Sequence, residues 1–443
     1  MDIIAVLFNL LLEFDAYMML AIFMFPIALL AGLRLKEALK ACLTLGIGFI
    51  GIFIVFDHFI EQMSPVLTKI VIETGTKMTV FDVGWPPMAK ITWSFQYVPI
   101  FMLMIVLTNF LMFICKKTET INIDIWNYWH FIFVGQMVFY QTNSVLLSMG
   151  ACLFITMITL KLADLSADHI RKFTGIENIS ITTLPCVCYY PIGLVGSDLF
   201  DCMFNKNKSR SKEPSALLKL TFLKEPMFIG CLMGIGLGMV ARYSFVDIMR
   251  LSFNVAAVVY ILPIVTGILT EGLMPISAAV KGKLMSKYPS LSRAKIGLHF
   301  AIILGDPAVI ITGILLMPIV LALAFILPGN RFIPLGSLPN MIGAVPIVVV
   351  ACNRDILKST IVGSLIMCGH FYAASKLSEL YTALALNVGD AAIRYDGLIT
   401  SFIDGGNLLR FWVFELFSIK FLAFALLPLA LILFRYTKKR VSS

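Results

Sequence analysis

Tyr97 to Cys115, YVPIFMLMIVLTNFLMFIC, runs without a charge and stops against Lys116 and Lys117. A helix rises about 1.5 Å per residue, so a run near 20 apolar residues matches the hydrocarbon thickness of a bilayer. The pattern recurs outward from this stretch. Uncharged runs cover Tyr17 to Leu33, Ala41 to Phe56, Met227 to Ala241, Leu251 to Thr270 and Val309 to Leu327. A last run, Phe411 to Phe434, is interrupted only by Glu415 and Lys420. One such run reads as a signal peptide; a chain of them does not. The first is expected to be retained, since no cleavage-site pattern follows it.

Composition agrees. The chain of 443 residues is 59% hydrophobic and 14% charged, with mean hydropathy +0.92. A soluble domain carries roughly a quarter charged residues, so a soluble fold is excluded. The net charge of +9 does not call for nucleic acid, because most Lys and Arg sit in short loops between apolar runs, where they set topology. The nine cysteines lie singly apart from Cys186 and Cys188, and no Cys-x-x-Cys pair suggests a metal. No cofactor is expected.

Basic clusters fall at Arg34 to Lys40, Lys116 with Lys117, Lys161 to Lys172, Lys206 to Lys212, Lys281 to Lys295, Arg354 with Lys358, and Arg435 to Arg440. Placing all of them in the cytoplasm puts the N-terminus outside and the C-terminus inside. It requires about eleven transmembrane helices: five crossings, five more, and a final one. The corresponding units are a first repeat over 1–178, a re-entrant or interfacial segment with a basic loop over 179–224, a second repeat over 225–376, and an outer loop, last helix and basic tail over 377–443.

The two fives look like copies. Glu61-Gln-Met-Ser-Pro65 follows the second run, and Glu271-Gly-Leu-Met-Pro275 follows the seventh. Val98-Pro99-Ile100 is echoed by Met317-Pro318-Ile319, and Asn109 by Asn330. Units with an odd number of crossings have opposite orientation, so the expected fold is an all-α polytopic membrane protein of two inverted five-helix repeats plus a final helix. Inverted repeats are a transporter architecture with the substrate near the midplane, at interrupted helices.

Two segments have the composition of such interruptions. Val80-Phe-Asp-Val-Gly-Trp-Pro-Pro87 places Asp82 beside a Gly and two prolines, and Leu304-Gly-Asp-Pro307 places Asp306 beside helix breakers. A pair of re-entrant hairpins accommodates both, since broken backbone at membrane depth must be buried or line a cavity. An outer loop and a cytoplasmic turn accommodate them as well. Ile123-Asp-Ile-Trp-Asn-Tyr-Trp-His130 opens the fourth run. Asp124 and Asn127 suit a helix start, and its aromatics suit the interface. His130 lies further in, with Gln136 deeper on the same run. Carboxylates, amides and neutral imidazole complement hydroxyl groups, and an indole such as Trp85 suits the C–H face of a sugar alcohol. The expected substrate-binding set is Asp82, Trp85, His130, Glu271 and Asp306, supported by Asp124, Asn127, Gln136 and Asp404. His130 is the candidate general base.

At these residues the chain resembles the galactitol-type membrane subunit, enzyme IIC, of the bacterial sugar phosphotransferase system, in the ascorbate–galactitol group. The matching strings are GIGFIGI (Gly46 to Ile52), DVGWP (Asp82 to Pro86), DIWNYWH (Asp124 to His130), Glu225-Pro226, Pro328-Gly-Asn330 with Pro334-Leu-Gly336, and Asp404-Gly-Gly406. The resemblance implies an inner-membrane homodimer of elevator design that binds a polyol or sugar outside and releases it after phosphorylation. It also implies that a phosphocysteine on a separate IIB subunit, charged by IIA, supplies the phosphoryl group. Asp306 departs from the resemblance, standing where a galactitol member is expected to carry histidine. The rival reading is a proton-coupled secondary transporter titrating Glu61, Asp82 and Glu271. A membrane enzyme without transport, using Asp82 and Asp306, has no metal-ligand cluster behind it.

Overall fold

The computed structural model describes residues 16–75, 78–204, 225–287, 294–304, 306–388 and 397–442. The basic string Lys206 to Lys212 lies outside them. The fold is mostly helical. Among the described residues five helices are apolar and long enough to cross a membrane, over Val145–Thr174, Phe245–Leu262, Pro307–Ile326, Ile356–Asn387 and Phe421–Ser442. A sixth candidate is a broken pair, Trp85–Trp93 and Val98–Ile114, bent by 98°. The expectation of a polytopic helical membrane protein is met at this level.

The first elements are α1 (Ala16–Ala31) and α2 (Leu35–Thr74). Strand β1 (Val80–Asp82), α3 (Trp85–Trp93), α4 (Val98–Ile114) and β2 (Thr120–Asn122) follow. A 3₁₀ turn at Ile125–Tyr128 leads into α5 (Trp129–Thr142), α6 (Val145–Thr174), β3 (Ile179–Ile181) and α7 (Tyr190–Phe204). The second half holds α8 (Pro226–Val240), α9 (Phe245–Lys287), β4 (Lys295–Leu298) and α10 (Pro307–Ile326). Short turns then precede α11 (Ile356–Val388), β5 (Leu398–Thr400), α12 (Leu408–Phe417) and α13 (Leu427–Ser442).

Helices α2 and α9 have 40 and 43 residues. At about 1.5 Å per residue each reaches roughly 60 Å, twice the hydrocarbon core. The sequence reading ended a span before Glu61 and another before Glu271; both helices instead run on through Glu61 to Pro65 and Glu271 to Pro275. A proline inside a helix removes one hydrogen bond and bends it, which is not enough to stop an apolar helix held by neighbours. The two long helices cross closely: a Cβ added at Gly272 would come within 2.6 Å of the Leu45 backbone nitrogen. With α1 and α8 they form one helical group.

Everything else is built around broken backbone. Among the described residues five short strands make two parallel sheets, β1–β5 and β2–β4–β3. Val80, Phe81 and Asp82 lie opposite Leu398, Ile399 and Thr400. Strand β4 is flanked by β2, with Ile121 opposite Ile296, and by β3, with Ser180 opposite Gly297. Each sheet therefore joins the first half of the chain to the second. In lipid an unpaired N–H or C=O costs several kcal/mol, so segments that leave the helix must find partners among themselves.

One carboxylate secures the first sheet. Asp82, 1% exposed, accepts from the backbone amides of Ser337 at 2.7 Å, Phe402 at 2.9 Å and Gly84 at 3.3 Å. It also accepts from the Ser337 hydroxyl at 3.0 Å. Three chain segments far apart in sequence converge on it. Only glycine fits at 336, where a Cβ would sit 2.2 Å from the Asp82 carbonyl oxygen. Asp164 does a similar task from α6, accepting from Thr118 Oγ1 at 3.0 Å, Glu119 N at 3.1 Å and Thr120 Oγ1 at 2.9 Å beside β2.

Replacing Asp82 with Ala would strand three buried amides and cost roughly 3 kcal/mol or more. The detergent-solubilised Asp82→Ala variant is expected to melt well below the wild type, with Asp82→Asn between them. Equal melting temperatures would show that the carboxylate does not hold the segments together.

Candidate functional site

Where the long-helix group meets the broken segments there is a cavity of about 150 Å³. One water needs about 10–15 Å³ by this measure, so the space suits a solute of several heavy atoms. Ile52 of α2 with Leu262, Leu273 and Met274 of α9 close one side. The other side is polar and aromatic, and its residues come from the connections next to β1, β2, β4 and β5.

Aromatic rings form one wall. Trp85 and Trp126 have centroids 6.4 Å apart, Trp93 stacks on Trp126 at 5.7 Å, and Phe49 meets Trp126 at 4.1 Å. Such a wall offers π-faces to C–H groups. The polar groups stand around it. Asp124 follows β2 and is oriented by Asn127, whose amide donates to it, and by Thr183 Oγ1 at 3.4 Å. Thr183 in turn accepts from Phe300 N at 3.3 Å, tying this corner to the β4 side. His299 follows β4; its Nδ1 accepts from Ala301 N at 3.0 Å, so the neutral ring carries its proton on Nε2. His130 opens α5, with Asp404 Oδ1 3.7 Å from its Nδ1 and Arg410 Nη2 3.0 Å from the same atom. Two carboxylates and two imidazoles thus line one small cavity. Hydroxyl groups both donate and accept, and this mixture of partners matches them. Among the described residues no group of three or more His, Cys, Asp or Glu is placed to hold a metal ion.

The sequence-derived candidates divide. Trp85, Asp124, Asn127, His130 and Asp404 line the cavity together. Asp82 does not; its oxygens are taken up by the clamp on the first sheet. Gln136 donates to the Ile91 carbonyl at 3.0 Å and holds α5 against α3. Glu271 is exposed on α9, although Leu273 and Met274 beyond it face the cavity. Asp306 starts α10, accepting from Ala308 N at 2.9 Å and pairing with Arg354 Nε at 2.8 Å.

Three lining or adjacent groups escaped the sequence reading. His299 follows a basic cluster whose charges read as a topology signal, and Asn340 stands in an uncharged stretch. Arg410 is wholly buried, yet in sequence it precedes an apolar run and looks like an ordinary boundary cation. The available signal was Asp404-Gly-Gly-Asn407: Asn407 caps α12 by accepting from Arg410 N at 3.0 Å, which turns that arginine inward.

Comparison with known proteins agrees with this arrangement. Residues 11–392 match the family described as the PTS system sugar-specific permease component. The chain is 27% identical to the PTS system galactitol-specific EIIC component of Escherichia coli (strain K12) over 92% of its own length and 90% of that relative. It is 29% identical to a putative permease IIC component of the same strain, over 93% of this chain and 94% of the relative.

The geometry separates binding groups from structural ones. Asp124→Asn should raise the half-saturation concentration for the transported solute about tenfold or more, since it alters a charged hydrogen-bond partner inside the cavity. Glu271→Gln should change it less than about twofold, as expected of an exposed group outside it. The reverse order, measured in uptake assays, would move the site out of this cavity.

Proposed function

The chain belongs to the sugar-specific permease component family of the phosphotransferase system (PTS), and from that premise we propose that it binds a galactitol-like polyol in this cavity and carries it inward for phosphorylation by a separate IIB protein. The observation that carries the reading is the cavity itself: two carboxylates and two imidazoles around a tryptophan wall, between the long-helix group and the broken segments. A hexitol offers a hydroxyl on every carbon and an apolar C–H edge, which fit the polar rim and the indoles respectively.

Phosphorylation is a displacement at phosphorus. The substrate hydroxyl oxygen attacks the phosphoryl group carried on a cysteine of IIB, itself charged by IIA. The O–P bond forms as the S–P bond breaks, and the sulfur leaves as thiolate. The hydroxyl proton passes to a group in the cavity: His130, Asp124 or Asp404. The product is anionic and does not return through an apolar barrier.

The finer architecture belongs to this proposal. Each half opens with a helix, a long helix and a strand, α1, α2 and β1 in the first and α8, α9 and β4 in the second, and each later has a long helix followed by a strand, α6 with β3 and α11 with β5, which supports two inverted repeats, each with a re-entrant hairpin, in a chain of about eleven crossings. The cross-half pairing of β1 with β5 and of β4 with β2 and β3 supports it further. The orientation, N-terminus outside and C-terminus cytoplasmic, is supported by basic clusters that gather in space. Arg354 Nη2 donates to the Phe173 carbonyl beside Arg171 and Lys172 at 2.6 Å. Arg440 Nε pairs with Asp198 at 3.0 Å, and Lys358 Nζ with Asp201 at 2.7 Å. We place the protein in the bacterial inner membrane as a homodimer, in contact with lipid. The group carrying the broken segments moves against the α1, α2, α8, α9 group in elevator fashion.

The test is uptake of labelled galactitol, sorbitol and mannitol into cells expressing the chain, with and without IIB. Phosphorylated product that appears only with IIB is the expected result. Unmodified polyol accumulating without IIB, and lost on adding an uncoupler, would replace this reading with a proton-driven carrier.

A further inference from the structure

Arg410 is the one arginine buried to 0% exposure among the described residues, and it faces the cavity from behind. Its guanidinium lies over the rings of Phe133 and Trp129, 5.1 and 5.7 Å from their centroids. One arm donates to the Asp404 carbonyl, and the other reaches His130 Nδ1 at 3.0 Å. Burying a cation this deeply is costly unless it is paired and aimed. The substrate does not account for it, because Arg410 is not among the residues that line the cavity.

We infer that Arg410 is a positioning residue that fixes the tautomer of His130, holding the imidazole as a hydrogen-bond donor to the substrate through Nε2. The argument rests on the chemistry of the two groups. A guanidinium has donors and no acceptor, so a short contact from it obliges Nδ1 to present its lone pair. The neutral imidazole then carries its proton on Nε2. A ring so held cannot take a proton at Nε2, which excludes His130 as the base and leaves the hydroxyl proton to a carboxylate, Asp124 or Asp404. His299 is held the same way by a different device, the Ala301 amide on its Nδ1. Both imidazoles are thereby donors and both carboxylates acceptors. Asp404 Oδ1, 3.7 Å from Nδ1, lies beyond hydrogen-bond reach of it and stays available to the cavity.

This inference deepens the proposed function and rests on the cavity being the polyol site. It is tested by binding and IIB-dependent phosphorylation of labelled galactitol in membrane vesicles. Glutamine places its amide nitrogen near the imidazole Nε2 position, and asparagine near Nδ1. His130→Gln is expected to bind within about tenfold of wild type and still turn over, whereas His130→Asn loses more than about tenfold. Arg410→Met should raise KM about tenfold with a smaller fall in kcat, and Arg410→Lys should recover part of the loss. In the His130→Gln background the same Arg410→Met change should cost less than about threefold, because the tautomer it sets is gone.

The inference is overturned if His130→Asn outperforms His130→Gln, if His130→Gln binds galactitol but does not phosphorylate it, or if Arg410→Met costs the same factor in both backgrounds. If Arg410→Met fails to reach the membrane, the Gln and Asn pair still decides. Trp85→Ala and Asp124→Asn separate the two levels. Unchanged galactitol affinity in both would remove the cavity reading itself, while weakened affinity with the wrong order at His130 would remove only the role of Arg410.

Discussion

The constraint on which the rest of the fold depends is the pairing of backbone groups wherever the chain leaves the helix. A permeation site needs such places, because a continuous helix has no free polar edge to offer a solute. Lipid tolerates none of them uncovered. This chain meets both demands with short parallel strands and with side-chain carboxylates that replace missing partners. Asp82 is the clearest case, accepting from Gly84, Ser337 and Phe402 at once. The connections next to the strands are then free to turn their side chains toward the cavity. Trp85 follows β1, Asp124 follows β2, His299 follows β4, and Asp404 follows β5.

Much of this was legible in the sequence, and the reasons for the rest are physical. Apolar runs ending on lysine or arginine revealed the membrane class, the string around Asp82 marked a place where the chain leaves the helix, and the string around Asp124 marked a helix start. What a linear pattern did not give is which acid faces the cavity and which faces amide. Asp82 and Asp124 occupy similar contexts, each near a helix start beside tryptophan, yet one is consumed by the amides of two distant segments and the other lines the cavity. That difference is set by residues 337 and 402, which lie 255 and 320 positions away. Glu271 illustrates a second limit. An acid followed by proline resembles a span boundary, but the 43-residue helix continues because its neighbours hold it. Arg410 illustrates a third: a cation at the edge of an apolar run has the same appearance whether it points to headgroups or into the core.

Both halves of the chain contribute to the cavity. The indoles and Asp124 come from the first half, while His299, Asp404 and the α9 side chains come from the second. Asp124 is linked to the second half through Thr183 and Phe300, and His130 through Arg410. Displacing one half relative to the other would disturb hydrogen-bond partners as well as shape.

The pairing of β1 with β5 also sets the order in which the protein can be completed. Asp82 and Phe402 are separated by 320 residues. At a synthesis rate of about 5–20 residues per second, roughly 15–60 s pass between the emergence of the carboxylate from the ribosome and that of its last amide partner. Through that interval Val80 to Asp82 has no strand beside it, and a buried acid lacks part of its coordination. The nascent first half must wait in a shielded or water-exposed setting at the translocation machinery, so a truncation before residue 400 leaves an intermediate suited to quality-control proteolysis rather than a half-transporter.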